Sequence, residues 1–454
     1  MRSPVPDRDA AQVVGNALRE LGYEADTISD LIGDDVAERE EVVVAERRLS
    51  ESPLETAIRL LYLELAVPEQ KLDSGLAEAL LTTNLVERKR DELVPHARIV
   101  PVDDTLLASD GFTRDAEDPP DYVATYTPTA RTCDLLTPRP RVARALDVGT
   151  GSGIHALLAA RHAKHVVAID VNDRALAYTE LNAALNGIDN LECRNGSFFT
   201  PVEGETFGLI VCNAPFVVSP EQRWAYRDSG FRGDDVTAHV VREAASHLAK
   251  GGYATLLGSW LIVDEDAPED RPAEWVKKTG CDAWILTSIE SDPLEHAASW
   301  NGSFFADAGT YAEALERWTR YIGELGARGV GEGAILLHKR EGRTSLRIDE
   351  IDEDSLEEAD AQIRRAFANR RANGLLDIRL ARAMPLRVER ELGRKRAEIV
   401  LGDGTCSILP TTPEAIDLVE QLDGKKTLRK LGADKRAVKL CRELLGLGAL
   451  KIVD

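Results

Sequence analysis

Several things are scarce in this sequence. Its six cysteines, at positions 133, 193, 212, 281, 406 and 441, include no CxxC and no pair at metal-ligand spacing. That arithmetic argues against a disulfide framework and a zinc centre, and a reducing, cytoplasmic setting fits. Long apolar runs are missing too. The longest nearly apolar stretch, Ala254 to Val263, is about half of what a membrane-spanning helix needs. The opening residues, Met1 to Ala10, carry two prolines and two aspartates and no apolar core segment, so no secretory leader is expected. Positive charge is short as well: 56 Lys and Arg stand against 78 Asp and Glu, a net of −22.

That charge is unevenly placed. Residues 1–130 hold 13 basic against 28 acidic side chains, and residues 131–341 hold 21 against 30. Residues 361–454 reverse the balance, with 20 against 12. An acidic body repels phosphate backbones, which disfavours general nucleic-acid binding, while the basic end keeps a local version of it open.

What is present reads as ordinary globular chain, 454 residues long and 43% hydrophobic, enough for about three domains. Residues 1–120 open with helical periodicity over Ala10–Leu21 and Ser52–Ala66. Ser52, Pro53 and Glu55 form a helix-start signal. Short extended pieces follow across Glu92–Val102, so a helical, winged-helix-like module is expected. The acidic, proline-bearing run Asp115–Asp121 reads as a linker.

Residues 121–341 change character. Strand-like runs at Arg144–Val148, His165–Ile169, Leu191–Arg194, Phe207–Cys212, Tyr253–Gly258, Trp284–Ile289 and Ala334–His338 alternate with helical stretches at Ile154–Ala163, Arg174–Leu185, Val236–Leu248 and Ala312–Leu325. The alternation predicts an α/β, Rossmann-like domain with a seven-stranded, mostly parallel sheet. Ligands are then expected at the carboxyl ends of its strands. Residues 342–454 predict a second small α+β module, with a helix over Ser355–Ala372 and two more at Pro413–Leu422 and Lys435–Leu445.

The strongest chemical signal is Arg144–Gly153, RALDVGTGSG. A strand ends at Asp147, glycines follow at Gly149, Gly151 and Gly153, and Ile154 opens a helix. Glycines let the backbone turn sharply and approach a ligand closely. A dinucleotide fingerprint would require glycine at 154, which is isoleucine here. An acid before the first glycine suits an amino-acid ammonium better than a pyrophosphate. Asp170 ends the next strand, placed to accept from ribose hydroxyls.

On these residues the chain resembles the class I S-adenosylmethionine-dependent methyltransferases over roughly residues 125–260. Asn182–Gly187 (NAALNG) and Asn213-Ala214-Pro215-Phe216 resemble the subgroup with an Asn-Pro-Pro-Tyr type motif, as in glutamine N5-methyltransferases and small-domain rRNA guanine-N2 methyltransferases. The resemblance implies S-adenosylmethionine as cofactor, held by Tyr126, Thr127, Asp147, Gly149, Gly151, Gly153, Asp170, Asn172, Ser197 and Asn213. It implies Asn213, Ala214, Pro215 and Phe216 as the acceptor-facing set.

The chemistry of that tetrapeptide follows from the residue types. Asn213 offers a side-chain oxygen and Ala214 a backbone carbonyl, two acceptors that orient a planar nitrogen and stabilise its growing positive charge. Pro215 stiffens the turn, and Phe216 offers a ring for stacking. Ala214 departs from the family's first proline, Ser197 replaces the usual adenine-binding acid, and the glutamate often found near Tyr126–Thr129 is missing. Tyr226–Asp235, with glycines at 230 and 233, reads as a candidate lid. His155, His162 and His165 lack a carboxylate at ligand spacing, so no metal is expected.

The reading is N-methylation of a protein amide or a small-molecule nitrogen. Two alternatives stay open: an RNA or DNA base methyltransferase using the basic C-terminal region, and a non-catalytic S-adenosylmethionine-binding scaffold. No membrane partner is expected, and nothing in the sequence specifies an oligomeric state.

Overall fold

A computed structural model describes residues 2–33, 39–112, 118–221, 227–228, 230–305, 307–351, 356–370, 374–390, 397–405 and 408–453. At its centre an eight-stranded sheet is built from β1 (Val142–Val148), β2 (Ala163–Asp170), β3 (Leu191–Asn195), β4 (Phe207–Cys212), β5 (Leu248–Ile262), β6 (Cys281–Ser291), β7 (Gly329–Lys339) and β8 (Leu346–Glu350). The spatial order is β8-β6-β7-β5-β4-β1-β2-β3. All neighbours run parallel except β7, which is antiparallel to both β5 and β6.

Seven of these strands match the expected runs. The eighth, β8, lies past residue 341 and adds a parallel edge to β6, so the sheet extends into what reads in sequence as the third segment. Its sequence, LRIDE, alternates exposed and half-buried residues and lacks the long apolar run that marks its neighbours.

Crossover helices cover both faces, as parallel pairing requires. They are α1 (Pro128–Leu136), α2 (Ile154–Ala160), α3 (Asp173–Leu185), α4 (Asp235–His247), α5 (Asp270–Lys277), α6 (Pro293–Trp300) and α7 (Ala308–Glu324). Residues of α4 and α5, among them Val236, Val240, Val241, Ala273 and Val276, close one core with Ile210, Trp260 and Ile335. On the other face Cys133, Ala156, Leu209, Trp284 and Leu336 share a core with the C-terminal residues Ile363, Phe367, Leu440 and Leu444. The C-terminal module is therefore packed against the sheet through a continuous apolar core.

The first segment folds as helices Arg8–Glu20, Ala25–Ile32, Arg39–Glu46, Pro53–Leu61 and Ser74–Thr82. A β-wing, Val86–Lys89 with Glu92–Pro95, then pairs with Val67–Pro68, and a hairpin Arg98–Val102/Thr105–Ser109 follows. Ser52 caps the fourth helix at 3.2 Å from Glu55 N, but the reciprocal half of a capping box is absent because Glu55 accepts from Ser50 Oγ instead. That helix stops at Leu61, short of the expected Ala66, because the chain turns into the strand at Val67. The core of this module continues into α3 through Ala175, Tyr178 and Leu181. A buried ion pair seals the junction. Arg174 donates to both carboxylate oxygens of Asp110, and Tyr178 Oη donates to the same acid at 3.0 Å.

The C-terminal module contains helices Ala359–Asn369, Pro413–Glu420 and Lys435–Gly446, with two three-stranded antiparallel sheets. Of the helix expected over 355–372, residues 355, 371 and 372 lie outside the described residues, as do Cys406, Tyr226 and residues 115–117 of the expected linker. No helix is long and apolar enough to cross a membrane among the described residues.

Candidate active site

The strand order reverses at β1, whose neighbours are β2 and β4, so the loops after these three strands meet in one crevice. Asp147, Asp170 and Asn213 lie at or just past the carboxyl ends of those strands. The glycine loop leaves β1 as Gly149 N and Thr150 N both donate to Ile169 O at 2.9 Å. Gly149, Gly151 and Gly153 all have positive φ, at 71°, 56° and 92°.

The three glycines serve different ends. A Cβ on Gly149 would lie 2.8 Å from Ala214 Cβ, and one on Gly153 would lie 2.9 Å from Thr179 Oγ1. The first glycine therefore lets the loop touch the tetrapeptide, and the third lets α2 start against α3. A Cβ on Gly151 would meet nothing within 4 Å, so this residue faces open space.

Asp147 is buried, and its Oδ2 braces the loop by accepting from Thr150 Oγ1 at 2.7 Å and Ala156 N at 3.0 Å. Its Oδ1 has no hydrogen-bond partner among the described residues. Burial pushes the carboxyl up to about 7, with a smaller push from Asp170. Asp170 accepts from Gly151 N at 3.0 Å through Oδ2 and from Asn172 N at 2.9 Å through Oδ1. Burial raises its carboxyl too, and the backbone donors oppose that shift.

The remaining residues implied for the cofactor divide into two groups. Thr127 caps α1 by accepting from Ala130 N at 3.1 Å, and Asn172 caps α3 and donates to Asp121 O at 2.9 Å. Their side chains hold the rims of the crevice. Tyr126 donates to Asp134 Oδ2 at 3.4 Å, and burial raises its hydroxyl. Ser197 is exposed in the turn after β3, where its carbonyl accepts from Thr200 N at 3.1 Å.

The 213–219 segment runs along β5, which continues to Ile262 beyond Leu256, its last partner on β4. Ser259 Oγ donates to Phe216 O, and the buried His296 Nε2 donates to Val218 O at 3.0 Å. His296 also faces Glu332, at 3.3 Å, and Trp300 Nε1 donates to that carboxylate at 3.0 Å. Asn213 is half-buried, and its amide makes no hydrogen bond among the described residues. Phe216 is half-buried with its ring partly packed on the core, which leaves only part of it for stacking.

The candidate lid is anchored at its end. Gly233 N donates to Tyr321 Oη at 2.9 Å, and Asp234 takes two bonds of 2.6 Å from Arg271. The histidines do not converge. His155 is buried with Nε2 unpartnered and is pushed down to about 4 by burial, His162 Nδ1 bonds Pro140 O, and His165 pairs with Glu192.

Several residues hold the site through contacts that the motifs do not show. Asn182 donates to Ser152 O and Ala108 O at 2.8 Å each and accepts from Ala108 N at 2.8 Å. Thr179 Oγ1 donates to Gly151 O at 3.1 Å. The polar residues inside the apolar run of α3 are the signal that points to the first two; His296, Ser259 and Glu332 have no local signature.

Residues 134–262 match the family model described as methyltransferase small domain, and residues 20–96 match one described as a domain of unknown function, DUF7059. A ribosomal protein uL3 glutamine methyltransferase of Bradyrhizobium diazoefficiens is 34% identical over 150 residues, covering 30% of this chain and 47% of that protein. A release factor glutamine methyltransferase of Aliivibrio fischeri is 32% identical over 139 residues, 29% of this chain and 48% of that protein. A ribosomal RNA small subunit methyltransferase C of Alcanivorax borkumensis is 27% identical over 125 residues, 28% of this chain and 33% of that protein. The chain spans about half the length or less of these relatives. The glycine loop at the switch point of the doubly wound sheet lies within the segment 134–262 that is similar to the methyltransferase small domain.

Proposed function

We propose that the chain is an S-adenosylmethionine-dependent methyltransferase that methylates a nitrogen, the side-chain amide of a protein. The observation that carries this is the contact of Gly149 with Ala214, which sets the tetrapeptide directly beside the glycine loop. Two of the relatives are glutamine methyltransferases by name, which supports a protein amide.

The residues present fit the cofactor. Asp147 Oδ1 is buried without a hydrogen-bond partner among the described residues, which suits an ammonium, and a Cβ on Gly151 would meet nothing within 4 Å, which leaves room for a ligand. Asp170 has acceptor capacity left on both oxygens for ribose hydroxyls. Ser197 and Tyr126 would line the remaining edges. When bound, the cofactor supplies an electrophilic methyl group. Asn213 and the carbonyl of Ala214 accept from the acceptor's N–H groups, hold its lone pair in line, and stabilise positive charge as it grows on nitrogen. Neither group has a hydrogen-bond partner among the described residues, so both remain available. Ser259 and His296 hold the carbonyls of Phe216 and Val218, which fixes the segment that carries these acceptors.

The test is to incubate the full chain with radiolabelled cofactor and a fractionated cell lysate. Label in protein, lost in Asn213→Ala, supports the reading. Label in RNA would move the acceptor to a base, the alternative that the rRNA relative favours. No label in any fraction would leave a binding scaffold.

A further inference from the structure

A cavity of about 200 Å³ lies where the sheet edge meets the C-terminal module, away from the glycine loop. Its polar lining comes from Ser345 and Arg347 at β8, Asn369 and Arg370 at the end of helix Ala359–Asn369, and Arg442 and Glu443 of helix Lys435–Gly446. Three guanidiniums thus face one carboxylate. Arg347 is tethered, donating to both oxygens of Asp349 and to Glu443 at 3.3 Å. Asn369 satisfies Leu445 O at 3.3 Å, which blunts the negative end of the helix there.

Arg370 is only partly satisfied. Its Nη1 donates to Ala283 O at 2.8 Å and to Ser345 Oγ at 3.2 Å, while its Nη2 is buried with no hydrogen-bond partner among the described residues. Asp282 Oδ2 is also buried without a hydrogen bond and is the largest nearby charge favouring the cation. Burial still pulls the guanidinium down to about 10, a cost that an anion in the cavity would offset.

Helix Lys435–Gly446 adds a second, independent observation. Lys435, Lys439 and Arg442 follow at four- and three-residue spacing, so they share one face. All three are exposed, and none pairs with an acid among the described residues. Nearby Arg429, by contrast, is held by Asp377. In a chain of net charge −22, an unpaired cationic stripe ending at an arginine-lined cavity implies an anionic ligand. Planar guanidiniums match phosphate oxygens by paired hydrogen bonds.

We propose that this cavity binds a phosphate group, with Arg442 and Arg370 as its principal donors and Lys435 and Lys439 as the approach. The group comes either as free phosphate or as part of an RNA backbone lying along the stripe. This does not depend on the methyl-transfer reading.

The experiment uses the full chain and two probes: inorganic phosphate against chloride at matched ionic strength, followed by thermal unfolding, and a short single-stranded RNA, followed by fluorescence anisotropy. Phosphate is expected to raise the melting temperature of the wild type, and Arg442→Glu, a change at an exposed position, is expected to abolish that shift. If RNA is the source, it binds with steep salt dependence and weakens about tenfold or more in Lys439→Glu/Arg442→Glu. If free phosphate is the source, the phosphate response stands and RNA does not bind. A wild-type response no larger than that of chloride, an Arg442→Glu chain that responds like wild type, or equal competition by polyglutamate would overturn the site. Arg370→Leu risks loosening the module junction, so the exposed Arg442 carries the decision.

Discussion

Asn182 pairs with Ala108 as a neighbouring strand would: its side-chain oxygen accepts from Ala108 N and its amide donates to Ala108 O, each at 2.8 Å. Four residues on, Asn186 repeats the pairing with Leu106, at 2.9 and 2.8 Å. An amide in the last turn of α3 and one at its C-cap thus complete the open edge of the hairpin, and Asn182 also holds Ser152 O of the glycine loop. Asn182→Leu leaves three buried backbone groups unpaired. A loss of about 2–4 kcal/mol in stability is expected, read from urea unfolding. An unchanged midpoint would show that water replaces the amide.

The glycine loop should respond position by position. Gly153→Ala combines positive φ with a Cβ pressed on Thr179, so it is expected to lower the melting temperature well beyond the about 1–2 kcal/mol cost of the backbone conformation alone. Gly151→Ala meets no protein atom and should cost only that conformational term. Its methyl group would project where the cofactor is proposed to lie, so calorimetry should show lost S-adenosylhomocysteine binding in a chain that remains folded.

Asn213→Ala separates binding from chemistry. Single-turnover methyl transfer with preloaded cofactor should fall by about 10²–10³-fold, with cofactor affinity nearly intact. Ala214→Pro should be tolerated, since Pro215 already favours an extended backbone at 214. Equal rates for Asn213→Ala and wild type would reduce the tetrapeptide to a turn.

Asp147 makes the proposed cofactor binding depend on pH. Its carboxyl titrates near 7 in the folded chain, above its ordinary range, because burial disfavours the anion. A raised carboxyl opposes folding above about pH 7 and ceases to do so as the pH falls below its unfolded value, near 4. A ligand ammonium favours the anion, so binding must displace a proton below pH 7. S-adenosylhomocysteine affinity should therefore fall as pH drops from 7 toward 5, and Asp147→Asn should flatten the profile. A flat profile in the wild type would remove Asp147 from the ammonium site.

Much of the central domain was legible because a buried parallel sheet needs apolar strands, and a loop that turns against a ligand needs glycine. Phe207–Cys212 matches its expected run to the residue, Asp147 and Asp170 stand at strand ends as their spacing predicts, and Asn213 follows the next strand as the family resemblance implies. The rim was not legible. α6 begins at Pro293 with a capping box from Asp292 and Glu295, yet it buries little beyond His296 and Ala297, so its apolar periodicity is too weak to declare it. β8 was missed for a related reason, since an edge strand with exposed alternate residues has no long apolar run.

The alternation of strands and helices from β1 to β5, the glycine loop and the acids that flank it follow from local backbone and periodicity requirements, so they can be read along the chain. Which strands are neighbours is settled at the level of the whole fold, and with it that Ala214 lies on Gly149, that Asn182 closes a hairpin more than seventy residues away, and that Arg347, Arg370 and Arg442 share a cavity. Such meetings depend on pairing and packing between distant segments. Their energy belongs to two residues at once, so neither segment alone records it.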